Sequence, residues 1–216
     1  MVAIVRRGWV DVDVFKFARK NDKPWTLLAL RYAKLYFQGM YRKDGRDAFV
    51  HAYKVAQILI YFGVWDDEVI AAGILHDILE DVSYAALDVL SQVFPQRTVS
   101  LVVIVTKFEG VILAEYFHNI SLNPFTVLIK LADRLHNLRN MIKNLDKKHC
   151  FNLEKLREQS QETNDFVVRL PYAAIVREKT KASGCPPEYF SAMAAMAGEL
   201  REAVHLAKVI LAGLVI

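Results

Sequence analysis

Val69-Ile70-Ala71-Ala72-Gly73-Ile74-Leu75-His76-Asp77-Ile78-Leu79-Glu80-Asp81 opens as seven uncharged, mostly apolar residues and ends with four ionisable ones in six positions. The apolar part does not alternate with polar residues, so it reads as a buried helix rather than a half-buried strand. Asp66 is a natural N-cap for it, and Asp67 and Glu68 complement the dipole in its first turn. Extended through Asp81, the helix stacks His76 with Glu80 and Asp77 with Asp81 on successive turns. Acids and an imidazole emerging from a core helix need a compensating positive charge. A divalent cation supplies it, and a cation implies a hydrolytic or transfer site. Asp77 beside His76 is a mixed nitrogen and oxygen donor pair suited to Mn²⁺, Fe²⁺ or Zn²⁺. Glu80 and Asp81, one turn on, stand where they would orient or deprotonate a water. The competing reading is a solvated acidic helix end beside a half-buried core histidine.

That competing reading loses ground at a second site of the same kind. The run Phe125-Thr126-Val127-Leu128-Ile129-Lys130-Leu131-Ala132 leads straight into Asp133-Arg134-Leu135-His136-Asn137. Asn123 caps and Pro124 starts this second helix. His51 lies near the start of the helix that precedes the His76 helix, and consecutive helices of a bundle lie side by side. By itself His51 is an ordinary capping or core histidine; in this pattern it completes a ligand set of His51, His76, Asp77 and Asp133. Asn137, four residues after Asp133, shares its helix face and is placed to bond a substrate hydroxyl. Arg134, His136 and Arg139 are expected on other faces, with His136 structural or a hydrogen-bond partner for a carboxylate. Arg42 and Lys43 are either an ordinary basic turn or a contact for phosphate and base.

The rest of the chain reads as helical throughout. Further helices are expected at about 24–40, 49–62, 84–94, 96–107, 114–120, 152–180 and 187–212, with no hairpin signal, internal repeat or low-complexity linker. The 216 residues form one all-α domain, divided into an N-terminal extension at 1–22 and the domain proper at 23–216. A formal charge of +4 agrees with an anionic ligand, but no run of Lys and Arg with interleaved aromatics marks a nucleic-acid surface. Cys150 and Cys185 match no paired metal motif and read as ordinary thiols in a reducing, cytoplasmic setting. The start of the chain lacks a signal core, and the apolar tail from 203 to 216 is too short for a membrane span. That tail is expected to pack on its own core or on a second copy in a homodimer.

Taken in order, Arg42-Lys43, His51, His76-Asp77, Glu80-Asp81, Asp133 and Asn137 resemble the HD-type metal-dependent phosphohydrolases. More narrowly, they are similar to the hydrolase domain of RelA/SpoT homologues and the small alarmone hydrolases. The box from Ile74 to Asp81 and the string Lys130-Leu131-Ala132-Asp133-Arg134-Leu135-His136-Asn137-Leu138-Arg139 carry most of the likeness. Val105-Thr106-Lys107, Glu162-Thr163 and Pro171 add to it, over about residues 25 to 180.

The resemblance implies an HD-type helical bundle that removes the 3′-pyrophosphate from guanosine tetra- or pentaphosphate. Mn²⁺, with Zn²⁺, Fe²⁺ or Mg²⁺ as alternatives, would be held by His51, His76, Asp77 and Asp133. Glu80 and Asp81 would activate water, Asn137 would contact ribose or phosphate, and Arg42 and Lys43 would hold the base end. Asp44, Asp47, Ala48, Ala52 and Asn140 depart from the family pattern near the base, which leaves an adenine alarmone or a wider nucleotide range open. No synthetase domain fits the remaining residues, so hydrolysis alone is expected. Two alternatives stand beside it: an HD phosphohydrolase for another nucleotide or a phosphorylated dinucleotide, and a nucleotide sensor without catalysis.

Overall fold

The computed structural model describes residues 12–42, 45–145, 153–178 and 184–213. Among them there is no strand, only an isolated antiparallel bridge between Tyr41 and Asp47. Eleven α-helices follow one another among the described residues: α1 (Val14–Lys20), α2 (Pro24–Tyr36), α3 (Ala48–Tyr61), α4 (Asp67–Leu75), α5 (Ala86–Val93), α6 (Gln96–Val105), α7 (Leu113–Ser121), α8 (Pro124–Lys143), α9 (Leu153–Asp165), α10 (Leu170–Glu178) and α11 (Pro187–Leu211). The all-α expectation holds.

The central helix is α4, packed against α2, α3, α6 and α8. Its residues Val69 to Leu75 are all buried, which is why the sequence there is apolar all round rather than on one stripe. Gly73 has a structural reason. A Cβ at that position would lie 2.6 Å from Leu59 Cδ1 of α3, so any side chain there would displace a fully buried leucine.

Capping fixes the entry angle of α4. Asp66 accepts from the Glu68 and Val69 amides, each at 3.1 Å, as the sequence suggests. Asp67 does more than complement its own helix. Its carboxylate accepts from the Trp25 and Thr26 amides at 2.9 and 2.8 Å and from the Thr26 hydroxyl at 2.6 Å. It therefore caps α2 from across the interface, where Pro24 at the first position has no N–H to satisfy.

Several helix limits differ from the sequence reading, each for a physical reason. Helix α2 stops at Tyr36, not near 40, because Gly39 turns the chain with φ of +77°. The single helix expected over 152–180 is two, separated by a 3₁₀ turn at Val167–Arg169. Pro171 has no amide to continue the α9 ladder and instead fits the first turn of α10. Within the segment read as an extension, Val14–Lys20 is helical, with Val14 and Ala18 buried and the Val14 amide donating to the Tyr53 hydroxyl at 2.9 Å.

Of the apolar C-terminal run, residues up to 213 are described. Ala203, Val204 and Ala207 are buried on the face of α11 that packs along α8 and α9. Among the described residues, no helix is long and apolar enough to cross a membrane.

Candidate metal centre and its cleft

The helix expected to run through Asp81 breaks after Leu75. His76 and Asp77 occupy the exit of α4, and Ile78–Val82 form a single wide π-turn, in which the Ser83 amide reaches back five residues to the Ile78 carbonyl at 3.2 Å. The stacking of two i, i+4 pairs on a regular helix is thus corrected. His76 turns its Nδ1 onto the Gly73 carbonyl at 2.8 Å, which gives that carbonyl a side-chain partner at the helix end.

This bond decides which way His76 works. Nδ1 carries the proton that Gly73 O accepts, so in the neutral ring the Nε2 lone pair faces inward. There it meets His51 Nε2 at 3.2 Å, Asp77 Oδ1 at 2.9 Å and Asp133 Oδ1 at 3.7 Å. His51 Nε2 lies 3.3 Å from both Asp77 Oδ2 and Asp133 Oδ1. The four residues come from the start of α3, the end of α4 and the middle of α8, so the helix packing described above assembles them.

These separations fit a cation. Ligand atoms at about 2.1 Å from a common centre are about 3.0 to 3.4 Å from one another in octahedral or tetrahedral arrangements, close to the 3.2 to 3.7 Å among His51 Nε2, His76 Nε2 and Asp133 Oδ1; Asp77 borders this trio through two different oxygens, Oδ1 toward His76 and Oδ2 toward His51. Two inward-facing Nε2 atoms 3.2 Å apart repel unless a proton or a metal lies between them. His51, His76 and Asp133 offer ligand atoms that all lie within 4.8 Å of one another, and all three residues are buried. The residues present can hold a divalent metal.

The field of the site favours positive charge. Burial alone depresses His76, but the charges of Asp77 and Asp133 prevail and push it up to about 10. Burial also works against the Asp77 carboxylate, yet His76 and His51 hold it well below the ordinary range. Asp133 is likewise held far down against the effect of its burial, chiefly by Lys130 and then by the two histidines.

Partners just outside the ligand set orient it. His136 is not a carboxylate partner: its Nδ1 lies 2.6 Å from His51 Nδ1. Burial, then the charges of His51, Arg42 and Arg46, keep His136 far below its usual value and therefore neutral. A neutral His136 ring can accept from His51 Nδ1–H, and in that tautomer the His51 Nε2 lone pair is left for a metal at the centre. Asp133 Oδ1 accepts from Asn137 Nδ2 at 2.6 Å, Asn137 Oδ1 accepts from Arg42 Nη2 at 2.7 Å, and Asp133 Oδ2 accepts from Lys130 Nζ at 2.9 Å. Arg42 and Asn137 are thus brought together at the rim, whereas Lys43 lies outside the described residues.

The centre opens into a cleft of about 510 Å³ whose walls include Asp77, Asp133, Glu80, Asp81, Arg42 and Asn137. Glu80 and Asp81 face this cleft and sit in the field of Asp77. Partial loss of hydration and then the Asp77 charge raise the pKa of both. Glu80 is held in place by the Lys107 amide, which donates to its Oε2 at 3.2 Å.

Sequence reasoning placed Arg134 on another face, but it lines the cleft and is pinned by Gln159 and Glu162 of α9. Lys130 and Lys155 also line it. Lys107, Lys130 and Glu162 fall in strings that resemble the family, whereas Lys155 and Gln159 stand in an ordinary charged helix with nothing to mark them.

Comparison with known proteins bears on this geometry. Residues 29–114 match the family described as HD domain, a span that contains His51, His76, Asp77, Glu80 and Asp81. Asp133 and Asn137 lie beyond the matched span, and it is the packing of α8 that brings them to the HD residues. Over 152 residues the chain is 30% identical to an Aquifex aeolicus protein named guanosine-3′,5′-bis(diphosphate) 3′-pyrophosphohydrolase, covering 67% of this chain and 20% of that one. Over 122 residues it is 34% identical to a Streptomyces coelicolor protein named GTP pyrophosphokinase, covering 52% of this chain and 14% of that one. It therefore spans a fifth or less of these relatives. A solved metazoan orthologue of SpoT, described as hydrolysing ppGpp, has the same fold, with a TM-score of 0.61 at 21% identity, over 80% of this chain and 93% of that one.

Proposed function

We propose that this chain is a Mn²⁺-dependent phosphohydrolase that removes the 3′-pyrophosphate from guanosine tetra- or pentaphosphate, or from a closely related purine alarmone. The observation that carries the reading is the spacing of His51, His76, Asp77 and Asp133, a ligand set that opens directly onto Glu80 and Asp81 in a cleft with cationic walls. The names of the relatives supply the substrate class.

His51, His76, Asp77 and Asp133 hold the cation, which when bound polarises a phosphoryl oxygen and makes water easier to deprotonate. Glu80 and Asp81 bind protons more readily than ordinary surface acids, so one of them takes the proton of the attacking water. The water oxygen forms a bond to the phosphorus attached at the 3′ position as its bond to the 3′ oxygen breaks, the 3′ oxygen takes a proton from the newly protonated carboxyl or from solvent to become the free hydroxyl, and pyrophosphate is released without a covalent enzyme intermediate. Arg42 and Asn137, already bonded to each other, offer further donors to ribose and phosphate at the rim. Lys43 is assigned with Arg42 to the base end.

The test is incubation of the purified chain with Mn²⁺ and either guanosine tetraphosphate or its adenine counterpart. Release of pyrophosphate with formation of the nucleoside diphosphate, abolished by chelation, is the expected result. Lack of pyrophosphate from both would refute the substrate assignment.

A further inference from the structure

Lys130 is an ammonium bonded directly to a member of the ligand set. Its Nζ donates to Asp133 Oδ2 at 2.9 Å, and its side chain is only 11% exposed. The ring of Tyr116 lies 5.5 Å from the same ammonium, and the Tyr116 hydroxyl is itself fixed by donating to the Val105 carbonyl at 2.6 Å. The lysine is therefore held from two sides, by an anion and by an aromatic face. Asp133 is divided between two tasks: Oδ1 faces the histidines and Oδ2 faces Lys130.

We infer that Lys130 is a positioning residue that restricts Asp133 to a single metal-facing oxygen and lowers the negative charge of the ligand set, so that the divalent cation is held less tightly than the four ligands alone would hold it. This rests on the metal reading proposed above.

Two effects act in the same direction when the ammonium is removed. A unit positive charge one carboxylate away from a divalent ion in a partly wet cleft weakens its binding by roughly tenfold to a hundredfold. Without Lys130, Oδ2 also loses its partner, and that loss falls mainly on the metal-free state, because a bound cation offers the freed oxygen a new one. Lys130 also lines the cleft, so the charge withheld from the ligand set stands available to an anionic substrate.

The experiment is a Mn²⁺ titration by calorimetry at pH 8, without substrate, on the wild-type chain and on Lys130→Met, Lys130→Gln and Lys130→Arg, with folding checked by circular dichroism. Lys130→Met is expected to bind at least about tenfold more tightly. Lys130→Gln keeps a donor for Oδ2 but not the charge, and should also tighten binding, so it carries the test if the methionine variant does not fold. Lys130→Arg should remain within about threefold of wild type, since charge and donor are kept. Equal or weaker binding in the folded Met or Gln variant would overturn the inference while leaving the metal centre intact. A wild-type chain that binds no Mn²⁺ would overturn the metal reading and this inference together.

Discussion

Replacing His136 by leucine tests whether a residue that never faces the cleft sets the chemistry inside it. His51 Nδ1 and His136 Nδ1 are 2.6 Å apart, and both rings are buried, with exposures of 2% and 8%. One nitrogen must donate and the other accept, and when the His51 Nε2 lone pair is turned to a metal the acceptor is the neutral His136. Leucine removes that acceptor and leaves the His51 N–H buried without a partner, which costs about 1–3 kcal/mol. In a chain of this size, about 2 kcal/mol corresponds to a fall in Tm of about 4–8 °C. The larger consequence is at the metal. Without its partner, His51 no longer has its inward Nε2 lone pair enforced, and loss of such an orienting bond typically lowers metal affinity by about 10- to 100-fold. Differential scanning fluorimetry and Mn²⁺ calorimetry on the same preparations read both effects. His136→Asn, whose amide oxygen can accept from His51 Nδ1–H, should recover part of the affinity. If His136→Leu lowered Tm but bound Mn²⁺ within about threefold of wild type, the argument that His136 orients His51 as a ligand would be wrong.

Asp77→Ala is expected to lose both bound Mn²⁺ and turnover, whereas Glu80→Gln should keep the metal and lose about 10²- to 10⁴-fold in rate; metal analysis beside a pyrophosphate-release assay separates the two, and equal metal loss in both would reverse the assigned roles. In the metal-free chain the pH dependence of stability follows from His76, raised to about 10 from 6.5, and from Asp77 and Asp133, lowered from 3.8. The histidine contribution is complete below about 6.5 and fades as pH rises through about 10, while the carboxylate contributions are present above about 4 and are lost as pH falls through their lowered values. The buried, neutral His136 acts the other way, its contribution being lost as pH falls below about 6.5, so thermal melts in chelator should show greatest stability near pH 6.5 and a decline toward pH 10. A melting temperature that rose steadily over that upper range would contradict the charge arrangement. With Mn²⁺ present the upper limb should flatten or reverse, because the metal displaces the His76 proton.

What the sequence determined unaided was local: the all-helical class, the caps at Asp66 and Asn123, and the polar residues that interrupt the apolar runs at His76 and Asp133. Each depends on residues within a few positions of one another, so spacing and propensity suffice. Tertiary packing decided the rest. The break after Leu75 and the π-turn at Ile78–Val82 are not encoded in periodicity, since Ile78 and Leu79 continue an apolar helical pattern while the chain widens around a side-chain bond to Gly73. His136, read as structural or as a carboxylate partner, meets His51 instead, and Lys130, one residue in a string, meets Asp133 as its counter-charge, because their partners sit on neighbouring helices or turns and direction is set only once the helices meet. Asp67, legible as a dipole partner for its own helix, also serves as the cap of α2, some forty residues upstream. Chain-local rules see neighbours along the backbone, whereas hydrogen bonds and charges act through space. For that reason the identity of the candidate ligands was readable in one dimension, and their partners and protonation only in three.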